Sequence, residues 1–196
     1  MIHSITITAE YKLVDYNVPT AGRLAALLFN YKNIDFEYVQ VDKSKAHEQE
    51  TASPFGSLPV LYVNDEILAT DYAICMYIAR VHGLEGKDAK DAARCATIVT
   101  GIAQLFSTKL MGGKDIRDKL PKYLRSFDKL LRRVNTGYFV GEQITWADLA
   151  VAFSCHQIQA RSHGALDRHP NLNDHYLNMY SIPAVKKFLE ETCPSE

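Results

Sequence analysis

The sequence holds no Cys-x-x-Cys pair, and no apolar run approaches the ~18 residues that read as a membrane span. Its four cysteines, Cys75, Cys95, Cys155 and Cys193, stand far apart, which speaks against a disulfide scaffold and predicts a reduced, intracellular chain. Charge of one sign is also lacking. Twenty-two basic residues face 23 acidic ones for a formal net charge of -1, so no overall field draws the chain to nucleic acid or to an anionic membrane, and any partner is recognised locally. The opening MIHSITITAEYKLVDYN has no basic region followed by an apolar block, so a soluble cytoplasmic protein is expected. Internal repeats and low-complexity tracts are absent too. What remains is an ordinary globular composition, 47% apolar and 23% charged over 196 residues, long enough for one compact domain or two small ones.

The first third alternates between two periods. YKLVDY (11–16) and FEYVQV (36–41) read as strands, and between them PTAGRLAALLFNYKN (19–33) carries Leu24, Leu27, Leu28 and Tyr31 at helical spacing. A crossover helix makes the two strands parallel neighbours. After the polar stretch DKSKAHEQETASP, the segment FGSLPVLYVNDEILATDYAICMYIAR (55–80) predicts two strands joined at Asn64-Asp65, then a helix with Ile74, Tyr77, Ile78 and Val81 on one face and Gly83 as its cap. From Gly86 onward the pattern is helical throughout, without a strand. In ITWADLAVA, Thr145 and Asp148 stand as a capping-box variant, with Ile144 and Leu149 as a staple and Trp146 packing into the core. The change of character predicts two domains, residues 1–83 and 88–196, with the first ten residues left unassigned.

These words in this order resemble the glutathione transferase family. FGSLPVL resembles its segment before strand three, with Pro59 in the place of a cis-proline. LATDYAICMYIAR resembles its glutathione-recognition turn and helix, and TGYFVGEQITWADLAVA (136–152) its helical-domain capping motif. YKLVDYN and SIPAVKKFLEE extend the likeness over nearly the whole chain. The wording is similar to the sigma class, which includes prostaglandin D synthase-like enzymes and S-crystallins. The resemblance implies a thioredoxin-like β-α-β-β-α domain followed by an all-helical domain, a homodimer, glutathione as co-substrate, and a small hydrophobic electrophile bound between the domains and lined by Phe106 and Met111.

The physics of such a pocket can be stated independently. A residue before a cis-proline at a strand end, here Leu58 before Pro59, offers its N–H and C=O to an extended peptide. A helix starting near Thr70 presents free N–H groups and a positive dipole end, suited to a carboxylate. A hydroxyl beside strand one stabilises a thiolate, the nucleophilic form of a thiol.

Residue by residue the match breaks. The tyrosine that activates the thiol falls on Asp15, followed by Tyr16 and Asn17, and the family's arginine, tryptophan and lysine fall on Ala21, Ala46 and Glu50. Its glutamine-serine pair falls on Thr70-Asp71. An ionised Asp15 accepts a proton but donates none, so it cannot do a phenol's work. Tyr16 stands one residue along, on the opposite face of a strand, so a bulge or altered loop is expected if it is to take over. The bland alternative makes Asp15 an exposed strand-end charge, Tyr16 a packing residue and Asp71 a helix-start residue favoured by the dipole. The sharper one has Asp71 holding glutathione's ammonium while Thr70 receives the adjacent carboxylate. Three functions therefore stand open: a glutathione transferase or isomerase with catalytic Tyr16 or Asp15, a non-catalytic S-crystallin-like protein, and an enzyme using Asp15 or Asp71 on another substrate. His163, His169 and His175 recur every six residues, a poor interval for converging ligands, and His156 and His163 share a helical face without a third ligand, so no metal is expected.

Overall fold

The structure, a computed structural model, describes residues 9–17, 22–107 and 116–192. It divides into two compact units, one up to Cys75 and one from Met76.

The first unit is built on a four-stranded sheet of order β2-β1-β3-β4. Strand β1 (Tyr11–Tyr16) leads through helix α1 (Gly22–Tyr31) to β2 (Glu37–Val41), and the two strands pair in parallel, Val14 opposite Val39 and Tyr16 opposite Val41. The crossover helix makes the parallel pairing possible, and its residues Ala25 to Phe29 are fully buried. Strands β3 (Val60–Val63) and β4 (Glu66–Ala69) form the expected hairpin around Asn64-Asp65, with Asn64 at φ 53°, and β3 runs antiparallel to β1. Glu10 extends this pairing: its N–H donates to the Asn64 side chain at 3.0 Å and its carbonyl accepts from the Asn64 N–H at 3.0 Å. Met1–Thr8 of the unassigned opening lie outside the described residues.

One element went unforeseen. The polar stretch DKSKAHEQETASP contains a 3₁₀ turn, Lys43–Lys45, and helix α2, His47–Ala52. A six-residue helix with no buried residue carries no apolar stripe from which it could be read.

Helix α3 (Asp71–Val81) follows β4, with Ile74 and Ile78 fully buried. It ends as Gly83 predicts: Gly83 sits at φ 71° and the Leu84 N–H donates to the Ala79 carbonyl at 2.7 Å, the long bond of a glycine-terminated helix.

Among its described residues the second unit has helices and no strand: α4 (Ala89–Ser107), α5 (Ile116–Val134), α6 (Trp146–Arg161), α7 (Pro170–Tyr180) and α8 (Pro183–Thr192). Its centre is α6, which packs against α4 and α7 and is buried from Trp146 to Cys155 without a break. The capping box starts it. Asp148, fully buried, accepts the Thr145 N–H at 2.8 Å and the Thr145 hydroxyl at 2.7 Å on one oxygen. The other oxygen takes the Phe139 N–H at 2.8 Å and His175 Nε2 at 3.0 Å. Helix α6 stops at Arg161, so His163 lies beyond it and does not share a helical face with His156. His175 is committed to Asp148, and among the described residues no three His, Cys, Asp or Glu side chains gather as a metal site. Nor is any described helix long and apolar enough to cross a membrane.

Candidate functional site: one end of the sheet

Strand register brings the sequence-predicted residues of the first unit to one edge. Because β1 and β3 are antiparallel with Val14 opposite Val60, continuing two residues sets Tyr16 beside Leu58. Val60 faces Ala69 across β3 and β4, so Thr70 and the start of α3 follow β4 at the same end of the sheet. Leu58 thus leads into β3 at the sheet end where β1 finishes in Tyr16 and β4 gives way to α3, and the Leu58-Pro59 peptide is cis.

Tyr16 needs no bulge to arrive there, contrary to the sequence-based expectation. The β1 register is continuous through Tyr16, and the face of β1 that carries Val14 is the face of Leu58. Val14, Ala46, Leu58 and Val60 form a buried cluster against which Tyr16, Val39, Val41 and Tyr62 pack. The Tyr16 hydroxyl donates to Glu50 Oε1 at 2.5 Å, and the Lys43 ammonium stands 5.9 Å from the centre of its ring. The bond to Glu50, followed by burial, raises the Tyr16 phenol above the ordinary tyrosine pKa, with the Leu58 backbone opposing. Tyr16 is therefore a neutral donor at physiological pH, and its donor is engaged. Its partner Glu50 belongs to the unforeseen α2; the sequence marked that position as departing from the family and gave no sign of the bond.

Asp15 turns the other way. It is not the exposed charge of the bland reading but fully buried, directed toward the start of α1. A methyl group placed on Gly22 would stand 2.4 Å from its Oδ2, so the carboxylate occupies space that only a glycine leaves open. Its Oδ1 accepts the Tyr16 N–H at 2.8 Å. Tyr38 on β2 is in the same neighbourhood: burial first, then the charge of Asp15, push its phenol up to about 12, against the pull of Arg23. This group of polar side chains was missed at sequence level because its members come from β1, α1 and β2.

At the α3 end, the Ile74 N–H donates to the Thr70 carbonyl at 3.0 Å, which makes Thr70 the residue flanking the helix and Asp71 its first member. Asp71 is not a bare charge, since its Oδ1 accepts the Tyr72 N–H at 2.9 Å. Thr70 adopts φ 70°, where a β-branched residue is strained by on the order of 1–3 kcal/mol. Such strain persists where neighbouring structure imposes it, and it turns the chain sharply from β4 into α3. Of the two residues expected to line a hydrophobic substrate, Phe106 is half-buried late in α4 of the second unit, and Met111 lies outside the described residues.

A thioredoxin-like sheet with a cis-proline strand end, joined in sequence to an all-helical unit, defines the class of protein. Residues 13–86 match the glutathione S-transferase N-terminal domain and residues 99–192 the glutathione S-transferase C-terminal domain. Probable glutathione S-transferase 5 of Caenorhabditis elegans is 30% identical, over 92% of this chain and 96% of its own length. Among solved structures, a nu-class glutathione S-transferase from Haemonchus contortus superposes with TM-score 0.83 at 27% identity, covering 96% of this chain and 99% of that one. Monomeric Na-GST-3 of Necator americanus superposes with TM-score 0.82 at 26% identity, covering 93% and 97%. The chain belongs to the glutathione S-transferase family.

Proposed function

We propose that this protein binds glutathione at the Leu58 strand end and presents its thiol to a small hydrophobic electrophile, for conjugation or isomerisation. The observation that carries the reading is the convergence of the cis Leu58-Pro59 peptide, Tyr16 and the Thr70-Asp71 turn at one end of one sheet. Leu58 supplies the peptide-like grip. Thr70 receives the γ-glutamyl carboxylate and Asp71 the adjacent ammonium. Tyr16 takes the catalytic part as hydroxyl donor to the thiol, which requires its hydrogen to leave Glu50. Asp15, fully buried against Gly22, takes the part of holding β1 to α1. Phe106 and Met111 remain the apolar residues assigned to the electrophile. The sigma-like wording around YKLVDYN, a cytoplasmic location and a homodimer belong to the same reading. Phe55, 74% exposed, is the apolar side chain a dimer would cover, and the mass in solution tests that.

A second reading is favoured by one observation: the only hydroxyl on Leu58's flank in β1 is already bonded to a carboxylate, as suits a non-catalytic binding protein of the S-crystallin kind. Two measurements separate them. Glutathione at about 100 times its dissociation constant stabilises a binding protein by ~2.7 kcal/mol, visible as a thermal shift. Turnover of a generic aryl halide that Tyr16→Phe abolishes supports the enzyme; a thermal shift without turnover supports the binding protein; no shift at millimolar glutathione removes both.

A further inference from the structure

Resting on the reading of the Leu58 strand end as a peptide site, the geometry points to Glu50 as the residue that sets its ligand class: we infer that the site prefers a glutathione-like peptide whose C-terminal carboxylate is masked, as an ester or amide, over free glutathione. The sheet order fixes which end of a ligand meets which residue. Val60, the first residue of β3, has β1 on one side and β4 on the other, so a peptide lying across this end of the sheet beside Leu58 meets Tyr16 and Glu50 on the β1 side and Thr70-Asp71 on the β4 side. With the γ-glutamyl end at Thr70-Asp71 and the thiol at Tyr16, the C-terminal end falls past Tyr16, to Glu50.

Glu50 is held in place there. It belongs to α2, its own N–H donates to the Ala46 carbonyl at 2.8 Å, and its Oε1 receives the Tyr16 hydroxyl at 2.5 Å. Ala46 and Leu58 share the buried cluster on which the Tyr16 ring packs, and the carboxylate cannot swing away without giving up its bond to that residue. An ionised carboxylate only accepts hydrogen bonds. A second carboxylate brought beside it finds no donor from Glu50 and meets like charge at short range. Lys43 lies over the Tyr16 ring at 5.9 Å from its centre; it tempers this charge by through-space attraction and makes no ion pair with Glu50 among the described residues. An ester or amide removes the like charge, and an amide adds N–H donors that Glu50 can accept.

The experiment is a titration calorimetry series on the full chain with glutathione, its C-terminal monoethyl ester and its C-terminal amide, repeated on Glu50→Gln and Glu50→Lys. Circular dichroism melts of each variant show that it is folded, and Glu50→Gln, which preserves shape and can still accept from Tyr16, guards against misfolding of the lysine variant. The inference expects the masked peptides to bind wild type on the order of tenfold more tightly than glutathione, the factor corresponding to ~1.4 kcal/mol. It expects the preference to shrink in Glu50→Gln and to reverse in Glu50→Lys. Tighter binding of free glutathione to wild type overturns the inference and leaves the glutathione reading intact, as does a preference that is unchanged across the three proteins. Binding of none of the three peptides to wild type overturns both.

Discussion

Asp148→Ala offers the sharpest test of how the helical unit is held, because one carboxylate serves four donors. Thr145, Phe139 and His175 are 2, 3 and 2% exposed, so water cannot replace what the substitution removes. The Thr145 hydroxyl can turn to another acceptor, and its loss is small. The Thr145 and Phe139 N–H groups cannot turn, and a buried donor without a partner costs ~1–3 kcal/mol. His175 fares worse than a simple loss suggests: its Nδ1 is buried with no partner among the described residues, so without Asp148 neither ring nitrogen is bonded. Two stranded amides and a stranded imidazole give ~4 kcal/mol, a large part of the 5–15 kcal/mol that holds a typical protein folded. For a chain of this length that lowers Tm by ~10 °C. The chain reports on itself, since its one tryptophan, Trp146, is 1% exposed and opens the helix that the box starts. Urea unfolding followed by Trp146 fluorescence reads the loss directly. Asp148→Asn keeps one carbonyl acceptor but turns an NH2 toward donors, and it recovers at most about half. A loss below ~1 kcal/mol for Asp148→Ala, the size of an ordinary surface change, refutes the argument.

Three further outcomes follow from the sheet unit and the buried thiols. Gly22→Ala forces a methyl into the Asp15 carboxylate and costs ~1–3 kcal/mol as overpacking, but much less in an Asp15→Ser background; equal cost in both backgrounds disproves the contact. Thr70→Gly releases a left-handed β-branched residue and raises stability by about 1 kcal/mol in thermal melts while weakening glutathione binding; a destabilised variant contradicts the strain assigned to this turn. Burial raises the Cys95 thiol from 9.0 to about 11 and the Cys155 thiol to about 12, so below pH 9 both folded and unfolded chains keep these protons. Above it the unfolded chain releases them first, and each thiol lowers stability by ~1.4 kcal/mol per pH unit until its folded pKa is reached. The urea midpoint is expected to fall steadily from pH 9 to pH 11, and a flat midpoint over that interval is inconsistent with buried thiols.

Periodicity made the architecture legible because both periods are set by burial. Leu27 and Leu28 at helical spacing, and Val60 and Leu61 beside a turn pair, are fully buried here for the reason they stood out in the sequence. The Thr145–Asp148 box was legible for a different reason, as a reciprocal bond between near neighbours in sequence. Its second function, receiving Phe139 and His175, was not, because those partners lie nine and 27 residues away. Helix α2 was illegible for want of any buried residue, and with it went the Tyr16–Glu50 bond, which spans 34 residues. Contacts of that range are decided by register, which the sequence alone does not print.

The parity of β1 explains how a site can keep its scaffold while changing its chemistry. Neighbouring residues of a strand point to opposite faces, so Asp15 and Tyr16 cannot both attend the ligand. The structure resolves the choice: Asp15 is enclosed against α1, where the absent side chain of Gly22 makes room for it, and Tyr16 joins Leu58's face. A carboxylate at position 15 is therefore not read as a failed phenol, because it is buried against Gly22. The grip proposed for Leu58, by contrast, depends on backbone alone, through the cis peptide and the pairing of β1, β3 and β4. A change of charge at Glu50 is a side-chain change and leaves that backbone pairing as it is. What such a site conserves is the shape of an extended peptide, and what it is free to change is the charge of the peptide it accepts. That freedom is concentrated in Glu50, which is why a single charge reversal there, and not the restoration of a tyrosine at position 15, is the substitution expected to return a preference for free glutathione.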